Sequence, residues 1–284
     1  MSYNTLISAQ NLHQNINNPK WIVVDCRFSL ADTTLGSYAY RHGHIPNARH
    51  ADLNKDLSAE IRSYTGRHPL PNVKVLANKL GLWGINNDTQ VVAYDDAGGA
   101  FAGRLWWLLR FLGHDKVAVL DGGINAWQKH DLPITTKVPI VKTSTFRPYL
   151  NLGLWLNAEQ LQYEVATKKI RLIDARTIER YRGEQELIDP VAGHIPSALN
   201  RPFQLNLDKN SFFLPADELK KQFKQLLGSK IPEKTVHYCG SGVTACHNLL
   251  AMEYAGLKGS KLYAGSWSEW ITNQNRSIAT TESA

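Results

Sequence analysis

Cysteine is scarce in this chain, with 3 among 284 residues, at Cys26, Cys239 and Cys246. An odd count without regular spacing argues against a disulfide framework and for a reducing compartment. No Cys/His cluster has the spacing of a zinc site, and Cys246-His247 is an adjacent pair without partners, so no metal is expected. No stretch approaches the ~18 consecutive apolar residues of a membrane span. The polar run from Met1 to Asn18 lacks the apolar core of a secretory signal. Positive charge is in excess but not gathered: the formal net charge is +7, and the lysines and arginines are scattered. Such a pattern lacks the clustered footprint of a nucleic-acid binder, while a small anion needs only a local field. The expectation is a cytoplasmic protein with no membrane and no nucleic-acid partner.

What is present is ordinary for a globular chain: 43% hydrophobic and 20% charged residues. The length suits about two domains. The chain is in fact written twice. Ile22-Val23-Val24-Asp25-Cys26-Arg27 is echoed by Arg171-Leu172-Ile173-Asp174-Ala175-Arg176, each ending an apolar run with Asp-x-Arg. Gly43-His44-Ile45-Pro46 recurs as Gly193-His194-Ile195-Pro196. Val91-Val92-Ala93-Tyr94 matches Thr235-Val236-His237-Tyr238, and Asp121-Gly122-Gly123 with Trp127 matches Ala264-Gly265-Ser266 with Trp270. The offsets stay between 143 and 150 residues, in constant order. A period this long means duplication of a whole domain rather than a solenoid. The expected division is 1–138, a linker over 139–154 where prolines interrupt the pattern, and 155–284.

Within the second copy, the pattern predicts strands over 170–174, 235–238 and 261–263. It predicts helices over 157–167, 216–227 and 243–255. Strands alternating with helices give an α/β fold in which each copy is a parallel sheet flanked by helices. Ligands in such sheets sit at the carboxyl ends of the strands.

At one such end lies Cys239-Gly240-Ser241-Gly242-Val243-Thr244. The glycines let the backbone curl its N–H groups inward, and the helix that follows adds its positive end. Ser241 and Thr244 can add hydroxyl donors. An anion cradle with a thiol at its entrance favours the thiolate, which is the nucleophile. Cys26, at a hydrophobic strand end, and Cys246, on a core-facing helix, read as structural. The cradle suits two reactions. A cysteine phosphatase needs an arginine six residues after the cysteine, and Ala245 stands there. Sulfur transfer needs only that the thiolate attack a donor's outer sulfur and become a persulfide.

These motifs resemble the tandem-rhodanese sulfurtransferases, over nearly the whole chain. The loop from Cys239 to Thr244 is similar to that of 3-mercaptopyruvate sulfurtransferases. Thiosulfate-specific rhodaneses usually carry two basic residues where Gly240 and Ser241 stand. The resemblance implies a catalytic second copy and a non-catalytic first copy, in which Asp95 takes the position of Cys239. It implies that Cys239 is the sulfur carrier, that Gly240, Ser241, Gly242, Val243 and Thr244 bind the substrate, and that Arg180 holds the donor's carboxylate or sulfonate. It pairs Ser241 with His68, while the third, acidic position falls at Asn54, between Asp52 and Asp56. A second arginine expected before Gly193-His194 is missing from 187–192. Asp25, Arg27, Asp174, Arg176, His44 and His194 occur in both copies, which favours a supporting role in the fold. The implied donor is 3-mercaptopyruvate, with thiosulfate as the alternative. The implied acceptor is cyanide, a small thiol or a thioredoxin-like protein. A carrier that passes sulfur only within a protein complex would show the same loop. No cofactor is required, because the sulfur itself is carried covalently.

Overall fold

The computed structural model describes residues 2–280. They form two compact units that do not follow chain order. One comprises 2–59, Pro71–Asn151 and Lys209–Phe213; the other comprises Glu60–Leu70, Leu152–Asp208 and 214–280. The short segment Glu60–Leu70, which precedes most of the first unit in sequence, is thus built into the second.

In the first unit the elements run β1 (Leu6–Ile7), α1 (Ala9–Asn15), β2 (Trp21–Asp25), α2 (Leu35–His42), β3 (Arg49–His50), α3 (Val73–Leu82), β4 (Gln90–Tyr94), α4 (Ala102–Phe111), β5 (Val117–Leu120) and α5 (Gly123–Lys129). The strands form one parallel sheet in the order β1-β5-β4-β2-β3. β4 and β5 are buried along their whole length, as helices covering both faces of a parallel sheet require. Residues 139–151 form no helix or strand. They run along this unit, where Ser144 N–H bonds Gly81 and Tyr149 N–H bonds Leu112.

The second unit repeats the plan: β6 (Trp155–Leu156), α6 (Ala158–Ala166), β7 (Arg171–Asp174), α7 (Ile178–Arg182), β8 (Leu199–Asn200), α8 (Ala216–Leu227), β9 (Thr235–Tyr238), α9 (Ala245–Tyr254), β10 (Lys261–Tyr263) and α10 (Ser266–Trp270). Its parallel sheet has the equivalent order, β6-β10-β9-β7-β8. The local signals are visible. Asn157 and Gln160 close a capping box at the start of α6. Leu219, Phe223 and Leu227 repeat every fourth residue and give α8 its buried face. Among the described residues no helix is long and apolar enough to cross a membrane.

The repeated motifs hold each sheet to its neighbouring loop. Arg27 grips Asp25 and reaches the Gly43 carbonyl at 2.7 Å; Arg176 does the same to Asp174 and the Gly193 carbonyl at 2.6 Å. His44 Nδ1 lies 2.7 Å from the Tyr40 carbonyl, and its ring stacks on Tyr40. His194 treats Tyr181 in the same way at 2.8 Å. These buried pairs fix the end of β2 or β7, one sheet position from the strand that carries the key loop.

Candidate active site

β9 ends at Tyr238, and the chain then turns through Cys239–Thr244 before α9 begins at Ala245. Gly242 has φ of +75°, and a side chain there would collide with the carbonyl oxygen of Ala264. Only glycine meets both conditions. The turn brings the Gly242 N–H to 3.2 Å from Cys239 Sγ, so the backbone donates to the sulfur. Cys239 and Ser241 are buried, Val243 packs inward, and Thr244 stands at the cap position of α9 without a side-chain capping bond.

The loop rests on the start of α10. Cys239 N–H donates to Ser266 Oγ at 3.1 Å, while the Trp267 and Ser268 N–H groups donate to the carbonyls of Cys239 and Gly240, both at 2.9 Å. Ser266 adopts φ of +56°, a region that disfavours side chains. Its counterpart in the first copy is Gly123, at +57°. A glycine replaced by serine beside the cysteine was the sequence signal for this contact, and it was missed.

The segment Glu60–Leu70 completes the surroundings. Gly66 lies so close to the Gly265 carbonyl that no side chain fits, and Arg67 N–H donates to Ser268 Oγ at 3.1 Å. His68 Nδ1 then stands 2.7 Å from Ser241 Oγ, and both groups are buried. The sequence pairing of His68 with Ser241 therefore matches the geometry. The acidic neighbours of Asn54 have partners of their own in the first unit. Asp52 accepts the N–H groups of Asn54 and Lys55, and Asp56 pairs with Lys79 at 2.6 Å.

Arg180 lies at the same loop, and Arg67, which the sequence reading passed over, lies beside it. A methyl group on Gly240 would sit 2.8 Å from Arg67 Nη2 and 3.3 and 3.4 Å from the two Nη atoms of Arg180. Asp189 holds both guanidinium groups. It accepts Arg67 Nε at 2.9 Å and Nη2 at 3.1 Å, and Arg180 Nη2 at 2.9 Å. Glu186 accepts Arg180 Nε at 3.0 and 2.9 Å and also pairs with Arg176 at 3.3 Å. Burial raises the Glu186 carboxyl, but the bonds from Arg180 and from the Asp189 and Ile188 N–H groups outweigh it and hold it below its ordinary range. Arg182 points elsewhere, pairing with Glu184 at 3.6 Å on the surface.

The other two cysteines are placed differently. Burial, reinforced by Asp25, Asp95 and Asp56, pushes the Cys26 thiol well up, so it stays protonated. Cys246 is buried on α9 and donates to the Gly242 carbonyl at 3.4 Å.

In the first copy the equivalent turn holds an anion of its own. Asp95 is fully buried. Its Oδ1 accepts the N–H groups of Ala97 and Gly99 at 2.9 and 2.8 Å, and its Oδ2 those of Phe101 and Ala102, both at 2.8 Å. The carboxylate fills the cradle, and no thiol stands where Cys239 stands in the second copy. Among the described residues no group of His, Cys, Asp or Glu is gathered as a metal site.

Comparison with known proteins places this arrangement. The model of the rhodanese-like domain matches twice, at residues 8–130 and 157–273. The chain belongs to the rhodanese-like family. It is 47% identical to a protein of Pseudomonas aeruginosa named a probable 3-mercaptopyruvate sulfurtransferase, over 99% of both chains. It is 33% identical to the thiosulfate sulfurtransferase of Mus musculus, over 95% of this chain and 92% of the mouse one. The crystal structure of a 3-mercaptopyruvate sulfotransferase of Escherichia coli is similar, with a TM-score of 0.81 at 29% identity, over 94% of this chain and 100% of that one.

Proposed function

We propose that this rhodanese-like chain is a sulfurtransferase that carries sulfane sulfur on Cys239, with 3-mercaptopyruvate as its donor. The observation that carries the reading is the position of Cys239 Sγ in a glycine turn that donates backbone N–H to it, beside Arg180 and Arg67. The 47% identity to a relative named for mercaptopyruvate supports the donor. The first copy supports the anion-binding character of the turn, since its counterpart binds the Asp95 carboxylate through four N–H groups.

The Cys239 thiolate attacks the donor's sulfur. An S–S bond forms, the C–S bond breaks, and its electron pair passes to the enolate of pyruvate. The proton from the donor's thiol ends on that carbon, so the products are pyruvate and the Cys239 persulfide anion. Ser241 and His68 form the path that carries this proton. N–H groups of the turn stabilise the outer sulfur. An acceptor thiolate, from a small thiol or a thioredoxin-like protein, or cyanide, then attacks that outer sulfur and releases the Cys239 thiolate.

Thiosulfate is the second reading, favoured by the 33% identity to a relative named for it. In that case the leaving group is sulfite, which departs without needing a proton.

The test is intact mass after incubation with each donor. The wild type should gain about 32 Da, one sulfur atom, and Cys239→Ser should gain nothing. Sulfur release that survives in Cys239→Ser would reject the central assignment. A kcat/KM for thiosulfate well above that for mercaptopyruvate would exchange the two donors.

A further inference from the structure

A cavity of about 280 Å³ lies in the first unit. It is lined by Trp21, the first residue of β2, and so sits toward the end of the sheet opposite to the Asp95 turn. We propose that this cavity binds a small organic monocarboxylate, with the carboxylate on Arg49 and Lys142 and the apolar body against Trp21, Ile22 and Ile140. The site is separate from the cysteine turn and does not rest on the sulfurtransferase reading.

The charge is the first argument. Arg49 lines the cavity as a half-buried cation. Its Nε donates to the Trp83 carbonyl at 3.0 Å and its Nη1 to the Asn47 carbonyl, so the guanidinium plane is fixed. Its Nη2 makes no hydrogen bond, and no carboxylate pairs with it among the described residues. Burial lowers its pKa; Tyr40 opposes that, and no acid does. A partly desolvated charge without a counterion is costly, so packing alone does not select it. The duplicated sheet shows that the fold does not require it either. Arg49 pairs with Val24 of β2, and the residue at the same register of the second unit, beside Ile173 of β7, is Leu199. Lys142 adds a second cation, exposed and in no ion pair among the described residues. None of the lining residues is acidic.

The wall is the second argument. It includes the connecting segment from Pro139 to Lys142, which is held in place. Gly84 has φ of +85°, and a methyl group there would sit 2.9 Å from the Lys142 carbonyl, so the segment lies directly on the Gly84 backbone. His44 Nε2 lies 3.2 Å from the Lys137 carbonyl on one side, and Ser144 N–H donates to the Gly81 carbonyl at 2.8 Å on the other. A wall fixed in this way needs little ordering on binding. Ile140 is nevertheless fully exposed, and with half-buried Trp21 it gives the cavity an apolar lip. An inorganic anion would leave that lip in water, whereas an organic acid covers it. The free edge of a guanidinium matches the two oxygens of a carboxylate. The volume is at the small end for ligand pockets and suits a body of about one ring.

Calorimetric titration with three probes tests this. Phenylacetate carries charge and body, phenylacetamide the body alone, and sulfate the charge alone. Phenylacetate should bind about tenfold tighter than either. Arg49→Leu, which installs the residue the second unit carries at this register, should raise its Kd about tenfold. Lys142→Gln should raise it about threefold, and Arg180→Gln, at the cysteine turn, should leave it unchanged. No binding to the wild type at millimolar phenylacetate would overturn the proposal. So would an unchanged Kd in folded Arg49→Leu, or a loss confined to Arg180→Gln, which would put the ligand at the turn. Sulfate binding as tight as phenylacetate would reject the organic acid. If Arg49→Leu does not fold, Lys142→Gln alters only an exposed side chain, and an unchanged Kd there overturns the proposal in the same way. None of these outcomes depends on sulfur transfer.

Discussion

In the proposed mechanism, His68 is the single side chain that separates the two donors. With mercaptopyruvate the leaving group is a carbon that must receive a proton; with thiosulfate it is sulfite, which leaves as an anion. His68 and Ser241 are 2.7 Å apart and buried, and the proton path proposed for them answers the first need and not the second. His68→Ala should therefore lower kcat for mercaptopyruvate about 10²-fold, the ordinary scale of general acid–base catalysis, and change thiosulfate turnover by less than about threefold. Equal losses for both donors would make His68 a support for the loop instead. His68 was legible because the serine it meets lies in a recognisable motif. Arg67, its neighbour, was not. Its place at the loop depends on the segment Glu60–Leu70 packing with residues more than a hundred positions away, and no local pattern encodes that. Asp189 was hidden for a related reason. The sequence reading looked for a cation in that stretch, whereas the chain places there the carboxylate that positions two cations from elsewhere.

The strand–turn–helix element was more readily legible. Its strands at 171–174, 235–238 and 261–263 and its helices at 158–166, 216–227 and 245–254 lie within a residue or two of the expected ranges. Apolar runs and fourfold spacing arise from burial, and burial is written locally. The two-residue strands and the five-residue helices α7 and α10 were not anticipated, because so short a piece carries no period. Duplication also gives the element an internal control. The sequence comparison cast Asp95 as a lost nucleophile; the structure adds that its carboxylate now satisfies four backbone N–H groups at the start of α4. Asp95→Asn exchanges one accepting oxygen for an NH2 that faces two donors. It should cost about 2–3 kcal/mol, as expected for charged acceptors lost from buried donors. Calorimetry should show the transition in which the first unit unfolds falling by about 5 °C or more. Sulfur loading of Cys239 should persist in material that remains folded. A shift below about 1 °C would mean the turn does not need its anion.

Acid sensitivity belongs to the whole molecule, because it sums groups spread over both units. His237 lies inside β9, two residues before Cys239, where its counterpart in the first copy is Ala93. Burial, aided by the charge of Arg201, lowers its pKa to about 3. Burial also lowers His114 in the first unit and His194 in the second. His237 stays neutral in the folded chain down to low pH, and His114 and His194 take up their protons below their ordinary range, while the unfolded chain protonates all three near pH 6.5. Below that pH the unfolded state binds more protons, so stability falls as the pH falls. His237 alone should contribute a slope of up to about 1.4 kcal/mol per pH unit between roughly pH 6 and pH 4. Glu186 acts in the same direction further down: held below its ordinary range by Arg180, it gives up its stabilisation as the pH drops through its lowered folded value. The measurement is the urea midpoint from pH 7 to pH 4 for the wild type and His237→Leu. Whatever the substitution does to stability at pH 7, its acid slope should be shallower by about one proton's worth. Equal slopes in the two proteins would show that His237 takes up its proton in the folded sheet, and the acid loss would then rest on His114, His194 and the carboxylates.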